Sequence, residues 1–221
     1  MSSLHAHTVA ASKFHYVVVE GTIGVGKTTL AKRLAMTFNA SLMLEQAAEN
    51  PFLERFYNNR KAGALPAQLF FLMHRAKQLD SLHQQDLFTN ACVADYLFEK
   101  DRLFASVNLD TAEFALYEQL YQRLAIAVPQ PDLVIYLQAP TDVLLERIAR
   151  RGIRYEQGIE RSYLDQLNAA YASFFHDYNA APLLIVNAAH ADFINRDQDY
   201  QQLLEQIAHI KYGRQYFNPA Y

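Results

Sequence analysis

The stretch GTIGVGKTTL, which follows the apolar run YVVVE, combines residue types that bind phosphate groups. Gly21, Gly26, Lys27 and Thr28 match the pattern G-x-x-x-x-G-K-[ST] between a predicted strand and a predicted helix. Glycines let backbone N–H groups turn inward around a phosphate, the lysine supplies a positive charge, and the threonine hydroxyl can ligate Mg²⁺. We therefore predict a loop that holds the phosphates of a nucleotide. Its residues are Gly21, Thr22, Ile23, Gly24, Val25, Gly26, Lys27, Thr28 and Thr29.

This loop alone does not identify the group that receives a phosphate, because GTPase switches, ATPase motors and small-molecule kinases all use it. A switch would need a guanine-reading N-K-x-D stretch, whereas the last predicted strand here is followed by VNAAHADF. A motor domain is usually longer than 221 residues or carries partner modules. The sequence therefore favours a small-molecule kinase.

Carboxylates lie at the ends of short apolar runs. Glu45 ends SLMLE, Asp95 ends ACVAD, and Glu20 directly precedes the phosphate loop. Ligands of open α/β sheets bind at the carboxyl ends of the strands, so these side chains should share one edge. Phosphoryl transfer needs a carboxylate that takes the proton of the acceptor hydroxyl, and a divalent metal. Glu45 is the candidate base, with a surface or helix-capping glutamate as the alternative, and Asp95 is the candidate metal ligand.

The segment LERIARRGIRYEQG carries four arginines around a predicted helix end at Gly152. Arg147 and Arg151 are four residues apart and share a helix face, and Arg154 follows in the loop. Guanidinium groups bind phosphate oxygens through paired hydrogen bonds, so these three predict a lid over the transferring phosphoryl group. The alternative is a cationic helix end that balances the helix dipole, which we prefer for Arg150.

Gln68 and Arg75 are seven residues apart in LPAQLFFLMHRAKQL, nearly two helical turns, and so share one helix face. A glutamine amide offers a donor and an acceptor together, which suits the edge of a nucleobase, and an arginine adds further donors. The alternative is that both side chains are solvated.

Short β-rich runs alternate with long helical stretches along the whole chain. Parallel strands joined by right-handed crossovers place helices on both faces of a sheet. We therefore predict an α/β P-loop kinase fold with a five-stranded parallel sheet flanked by helices. The strands are predicted at 16–20, 41–45, 91–95, 132–138 and 182–187.

The composition is that of one globular domain: 221 residues, of which 51% are hydrophobic, can fill a single core. We predict that domain at 14–212, with a disordered leader at 1–13 and a tail at 213–221. The net charge of −3 offers no basic face for a nucleic acid. The one cysteine, Cys92, is predicted to be buried in a reducing compartment. No run approaches the roughly 20 apolar residues of a membrane span, so we expect a cytoplasmic protein without membrane contact.

Taken in order, these residues resemble the deoxynucleoside kinases, and in particular the bacterial deoxyadenosine/deoxyguanosine kinase branch. The resemblance runs from about Tyr16 to about Lys211. It is carried by VVVEGTIGVGKTTLA, LEQAAENPFLERFYNN, LPAQLFFLMHRAKQL, ADYLFEKDRLFA, DLVIYLQAPTDVLLERI and RRGIRYEQGIERSYL. The arginine cluster followed by E-Q-G-I is the most specific of these segments.

The resemblance implies a role for each candidate on the acceptor side. Glu45 would take the proton from the 5′-hydroxyl of the deoxyribose, and Gln68 would pair with the nucleobase. The remaining acceptor residues would read base substituents (Arg75 and Asp101), stack on the base (Phe104), and bind the 3′-hydroxyl (Tyr57 and Glu156).

On the donor side, the resemblance implies that the loop and Lys27 hold the phosphates of ATP and that Thr28 and Asp95 order Mg²⁺. The lid residues would be Arg147, Arg151 and Arg154. Such kinases are commonly homodimers formed through helices, so a homodimer is expected.

Two positions depart from the family pattern. Glu45 is followed by Gln46, where the family often has proline. Asp95 is followed by Tyr96 and Leu97, where many members have arginine and serine. Tyr96 cannot replace the charge of that arginine, so either the lid compensates or turnover is slower.

The leading hypothesis is the ATP-dependent 5′-phosphorylation of a deoxynucleoside, deoxyadenosine or deoxyguanosine. A nucleoside monophosphate kinase of the thymidylate kinase type is the first alternative, although LEQAAENPFLE has no arginine beside Glu45 to hold an acceptor phosphate. A nucleotide-binding regulatory module without kinase activity is the second. It would have no need for Glu45, Gln68 and Glu156 together.

Overall fold

A single parallel sheet of six strands runs through the part of the chain that the computed structural model describes, residues 13–84, 91–124, 128–193 and 195–219. Across the sheet the order is β2-β3-β1-β4-β5-β6. The strands are β1 (Tyr16–Gly21), β2 (Ser41–Met43), β3 (Cys92–Ala94), β4 (Leu133–Gln138), β5 (Leu183–Asn187) and β6 (Arg214–Phe217).

The parallel α/β architecture is as predicted, but the sheet has six strands instead of five. The additional strand, β6, lies in the segment predicted as a C-terminal tail and pairs with β5 alone, in register from Leu183 opposite Arg214. Its sequence RQYF buries only Phe217, while Arg214 and Tyr216 are exposed. An edge strand this short and this polar does not produce the apolar run by which the other strands were recognised.

Helices cover the sheet, and in the described part of the chain eight α-helices are present. Every residue of β1 is buried, which requires cover on both faces of the sheet. Two short 3₁₀ helices, Ala47–Glu49 and Arg154–Glu156, supplement them. The α-helices are α1 (Lys27–Phe38), α2 (Leu53–Asn58), α3 (Arg60–Gln84), α4 (Lys100–Asn108), α5 (Thr111–Leu124), α6 (Thr141–Arg151), α7 (Arg161–Asp177) and α8 (Asp197–His209).

Glu20 ties three parts of this core together at the carboxyl end of β1. Its fully buried carboxylate accepts hydrogen bonds from the N–H groups of Gly21 and Leu97, both at 2.8 Å, and from the Tyr171 hydroxyl at 2.9 Å. These partners belong to β1, the segment after β3, and α7. A buried carboxylate with its acceptors satisfied in this way holds the sheet edge in place, so Glu20 is part of the scaffold.

Outside the core, the predicted leader 1–13 lies beyond the described residues except for Lys13. Cys92 is buried in β3, as predicted. None of the helices described in the structure is long and apolar enough to cross a membrane.

Candidate active site

A cavity of about 150 Å³ lies at the carboxyl ends of β1, β2 and β3, where binding sites of open α/β sheets are found. The phosphate loop, both candidate carboxylates and one face of α3 meet there. The lining residues are Ile23, Gly24, Lys27, Thr28, Glu45, Ala47, Leu53, Phe56, Tyr57, Ala64, Ala67, Gln68, Phe71, Arg75, Asp95, Lys100, Phe104, Asn108, Arg151, Glu156 and Tyr163.

The phosphate loop has the backbone shape that its glycines permit. Gly26 adopts φ 107° at the N-terminal cap of α1, a conformation that disfavours any side chain. A Cβ atom on Gly21 would lie 2.4 Å from the carbonyl oxygen of Leu137 on β4, so this position has no room for one. The loop is therefore built so that the N-terminus of α1 faces the cavity with its free N–H groups.

The Lys27 side chain folds back onto the backbone of the phosphate loop. Its Nζ donates to the carbonyl oxygens of Gly21 at 2.7 Å and Thr22 at 3.3 Å. Burial, followed by the positive charge of Lys100, lowers the pKa of Lys27 to about 8. An anionic ligand would stabilise the charged form of Lys27, because a phosphate offsets both the desolvation of the ammonium group and its repulsion by Lys100.

Thr28 and Asp95 form the oxygen pair expected of a magnesium site. The Thr28 hydroxyl donates to one carboxylate oxygen of Asp95, and the other oxygen accepts the Glu45 N–H at 2.7 Å. Mg²⁺ prefers such oxygen ligands and takes its others from phosphates and water, so the residues fit this ion beside the loop. No cluster of three or more His, Cys, Asp or Glu side chains that could hold a metal occurs among the described residues.

Glu45 lies between two cations. One carboxylate oxygen accepts a hydrogen bond from Arg75, and the other accepts from Lys100 Nζ at 3.1 Å. Burial alone would raise the pKa of Glu45, but the charges of Lys100 and Arg75 hold that pKa well below its usual value. Glu45 therefore remains ionised at neutral pH, the state in which a carboxylate can accept a proton.

Behind the cavity, Asp101 organises the two side chains predicted to read the base. It is fully buried and does not line the cavity. Gln68 Nε2 donates to its carboxylate at 2.7 Å and to its backbone carbonyl at 2.9 Å, Tyr117 donates at 2.7 Å, and Arg75 pairs with its second oxygen. Burial raises the pKa of Asp101 against the opposing charge of Arg75. Because the Gln68 amide nitrogen is occupied, the carbonyl Oε1 is the atom that Gln68 offers to a ligand.

The predicted sugar-binding residues also reach the cavity. Tyr57 lies in α2 and stacks on Tyr155, with ring centroids 5.6 Å apart. Burial, and then the neighbouring Tyr163 and Glu156, raise the pKa of the Tyr57 hydroxyl well above its usual value. Glu156 pairs with Arg151, so this lid arginine is held at the cavity wall by a carboxylate.

The remaining lid residues lie elsewhere. Arg147 donates to the carbonyl oxygens of Val25 at 3.1 Å and Ala188 at 2.8 Å, joining the phosphate loop to the segment after β5. Burial lowers its pKa. Arg154 is exposed, and neither it nor Arg147 lines the cavity. The structure thus brings Arg151 to the cavity but leaves Arg147 and Arg154 outside it.

Sequence reasoning missed several lining residues. The most important is Lys100, which is buried although it lies in the charged run EKDR. A run of this kind is typical of a solvent-exposed helix start. The one sequence signal for a buried lysine here is that the run closely follows Asp95, a predicted site residue. Phe71 was also missed; it lies on the face of α3 that carries Gln68 and Arg75, and its ring is 5.1 Å from the Arg75 guanidinium.

A family model described as deoxynucleoside kinase matches residues 17–211. The chain belongs to the deoxynucleoside kinase family. It is therefore a kinase and binds nucleotides, which confirms the resemblance on which the predicted roles depend.

Two relatives from Bacillus subtilis (strain 168) extend this comparison. The chain is 34% identical over 201 residues to a deoxyguanosine kinase, covering 89% of this chain and 96% of the relative. It is 28% identical over 207 residues to a deoxyadenosine/deoxycytidine kinase, covering 90% of this chain and 94% of that one.

Among solved structures, a deoxyadenosine kinase from M. mycoides with the products dCMP and dCDP bound is similar, with a TM-score of 0.77 and 25% identity. The similarity covers 88% of this chain and 100% of that one. The same kinase with dATP bound has a TM-score of 0.74 at 24% identity, which shows the shared fold.

Proposed function

We propose that this kinase transfers the γ-phosphoryl group of ATP to the 5′-hydroxyl of a purine deoxynucleoside, deoxyguanosine or deoxyadenosine, in nucleotide salvage. The observation that carries the proposal is the position of Glu45, an ionised carboxylate between the phosphate loop and the network of Gln68, Arg75 and Asp101. The names of the relatives support the acceptor class, and the 34% identity to a deoxyguanosine kinase supports a purine.

In the transfer, Glu45 accepts the proton of the 5′-hydroxyl while the oxygen attacks the γ-phosphorus. Lys27 and the N–H groups of the loop hold the phosphates of ATP. Thr28 and Asp95 would hold Mg²⁺, which when bound neutralises charge on the phosphates. The lid arginines Arg147, Arg151 and Arg154 would cover the donor phosphates once ATP is bound. For Arg151 this requires exchange of the Glu156 carboxylate for phosphate oxygens.

For the acceptor, we propose that Gln68 Oε1 accepts a hydrogen bond from an N–H of the base and that Arg75 donates to a base acceptor. The Nε of Arg75 is buried without a hydrogen-bond partner among the described residues, so this guanidinium has donor capacity left. Asp101 acts by orienting both side chains. Phe104 packs against the base plane, and Tyr57 and Glu156 bind the 3′-hydroxyl.

The experiment that tests the function is a coupled phosphorylation assay with ATP and Mg²⁺. The acceptors are deoxyadenosine, deoxyguanosine, deoxycytidine, thymidine and thymidine monophosphate. We expect the highest kcat/KM with a purine deoxynucleoside. Activity only with thymidine monophosphate would replace the proposal by a monophosphate kinase, and ATP binding without any product would replace it by a regulatory module.

We also propose a homodimer formed through α3 and α5, working in the cytoplasm where ATP and salvaged nucleosides are available. Met73 on α3, and Leu116 and Leu120 on α5, are 58%, 46% and 38% exposed. The two helices contact each other, and apolar side chains exposed on them offer area that a second copy could bury. Sedimentation should give twice the chain mass for the unaltered protein, and Met73→Glu with Leu116→Glu should give monomer. A monomeric unaltered protein would contradict the dimer.

A further inference from the structure

Lys100, the first residue of α4, is a buried cation that lines the cavity between the phosphate loop and the candidate catalytic base, Glu45. It is 3% exposed. Its Nζ lies 3.1 Å from a carboxylate oxygen of Glu45, 3.9 Å from Glu20 and 5.5 Å from the centre of the Phe104 ring. Lysine is almost never fully buried without a partner, so this position calls for an explanation.

Local structure does not favour a lysine here. The N-terminus of a helix carries the positive end of the helix dipole, which disfavours a cation in the first turn. Burial adds a desolvation cost. Glu20, the more distant carboxylate, already accepts three hydrogen bonds from Gly21, Leu97 and Tyr171. Glu45 is therefore the carboxylate to which Lys100 donates, and Glu20 adds an opposite charge at the longer distance of 3.9 Å.

The ammonium group keeps donor capacity for a ligand. A lysine has three N–H donors, and among the described residues Glu45 accepts the one hydrogen bond that Nζ donates. Lys27, the phosphate-binding lysine, lies close enough that the charge of Lys100 contributes to lowering the Lys27 pKa. Two cations that repel each other, the buried Lys100 and the half-buried Lys27, form a place where an anionic group would be stabilised.

Tyr96, the residue after Asp95, brings no positive charge to the cavity. Tyr96 is fully buried and does not line the cavity. Its hydroxyl donates instead to Gln78 at 2.7 Å. Its ring lies 5.5 Å from the guanidinium of Arg75. Of the described residues from Asp95 to Asn108 that line the cavity, Lys100 is the one cation, and it lies five residues beyond Asp95.

We propose that Lys100 is a further catalytic residue, which orients Glu45 through one hydrogen bond and donates another to the transferred phosphoryl group. The proposal rests on the proposed function. The 5′-oxygen forms its bond to the γ-phosphorus, the bond from that phosphorus to the bridging oxygen breaks, and the electron pair leaves with ADP. The proton of the hydroxyl passes to Glu45. Lys100 takes no part in the proton transfer and acts through its positive charge and its hydrogen bonds.

The test compares Lys100→Met, which keeps the length and removes the charge, with Lys100→Arg, which keeps the charge. The matched control is Lys211→Met, at an exposed lysine between α8 and β6. We expect kcat to fall about 100-fold in Lys100→Met, with the KM for ATP within about threefold of the unaltered protein. Lys100→Arg should recover at least about tenfold of that loss, and the control should be unchanged.

A second readout separates catalysis from structure. Lys100 helps to lower the pKa of Glu45, so its removal should move the acid limb of the kcat/KM profile to higher pH, in Lys100→Met and not in Lys211→Met. Equal losses in the Met and Arg variants without a shifted limb would overturn the proposal, as would a kcat within threefold of the unaltered protein. If Lys100→Met unfolds, Lys100→Gln is subject to the same criteria, with thermal unfolding as the check.

Failure of the proposed function would give a different pattern. All variants are compared with the unaltered protein on whichever acceptor it phosphorylates. A preference for thymidine monophosphate would overturn the proposed acceptor, yet the loss in Lys100→Met would still be expected because the transferred group is the same. The unaltered protein transferring no phosphoryl group to any acceptor would overturn both.

Discussion

The carboxylate of Glu45 and the guanidinium group of Arg75 form an ion pair at the inner wall of the cavity, joining the end of β2 to the middle of α3. The Arg75 side chain is 4% exposed and that of Glu45 is 19% exposed. Arg75 also pairs with Asp101, so one guanidinium connects the candidate base to the group that orients Gln68. Under the proposed function, chemistry at the 5′-hydroxyl and recognition of the nucleobase would share this one cation.

Replacing Glu45 by glutamine should separate nucleotide binding from turnover. The amide retains the size of the side chain but cannot accept the proton, so kcat should fall about 100-fold or more while the Kd for ATP changes little. Steady-state assays and calorimetric titration with ATP measure the two. Glu205→Gln, at an exposed position on α8, is the control for loss of a carboxylate. Turnover close to that of the unaltered protein would remove Glu45 from the mechanism.

ATP affinity should depend on pH through Lys27. In the free protein its pKa is about 8, and a bound phosphate would raise it. Below pH 8 the ammonium group is already charged and affinity should be constant. Above pH 8 binding must take up a proton, so affinity should fall by up to about tenfold per pH unit until the pH reaches the pKa of the complex.

Calorimetric titrations with ATP from pH 6.5 to pH 9.5 would measure this dependence. Lys27→Arg is the matched variant, because a guanidinium stays charged over the whole range. Its affinity should be lower overall but should not decline above pH 8. The same decline in both proteins would mean that another group titrates.

Much of the fold could be predicted because the signals are local. Buried parallel strands appear as continuous Val, Ile and Leu runs, and the loop motif requires a strand before it and a helix after it. Residues that follow such strands share one edge, which is why the sequence alone places Glu45 and Asp95 together. The edge strand β6 was missed because Arg214 and Tyr216 are exposed and leave no apolar run.

The buried charges could not be predicted in the same way. Asp101 and Lys100 lie in a run of four charged residues that would suit a solvent-facing helix start. They are buried because Arg75, from a helix distant in the chain, and Glu45, from another strand end, supply the opposite charges. Long-range pairing of this kind leaves no periodicity in the sequence. For the same reason the sequence could not show that Asp101 orients other side chains and does not itself face the cavity.

Asp101→Asn should weaken the fold as well as the site. Asp101 accepts from Gln68, Tyr117 and Arg75 with two oxygens, and an asparagine would turn an NH₂ group toward one of these donors. Breaking a buried pair costs about 3 kcal/mol, so the free energy of unfolding in urea should fall by about that amount. Asp142→Asn, whose carboxylate is 78% exposed and paired with Arg161, should leave the free energy of unfolding nearly unchanged. Equal losses in the two variants would contradict the structural role of Asp101.

Gln68→Ala should impair the acceptor side alone. Loss of one hydrogen bond to the base corresponds to about tenfold in the KM of the deoxynucleoside, with the KM for ATP within about twofold. Gln119→Ala, at an exposed position on α5, is the control. An equal rise in both KM values would count against base recognition by Gln68.

The direction of that hydrogen bond can be tested with a purine deoxynucleoside that lacks its exocyclic amino group. Gln68 Nε2 is committed to Asp101 at 2.7 and 2.9 Å, so under the proposed function Oε1 is the atom that accepts from the nucleobase. The unaltered protein should lose about tenfold in kcat/KM on this analogue, whereas Gln68→Ala, which has no acceptor to leave unpaired, should show little further loss. A penalty of the same size in both proteins would show that the amino group is recognised by a different residue.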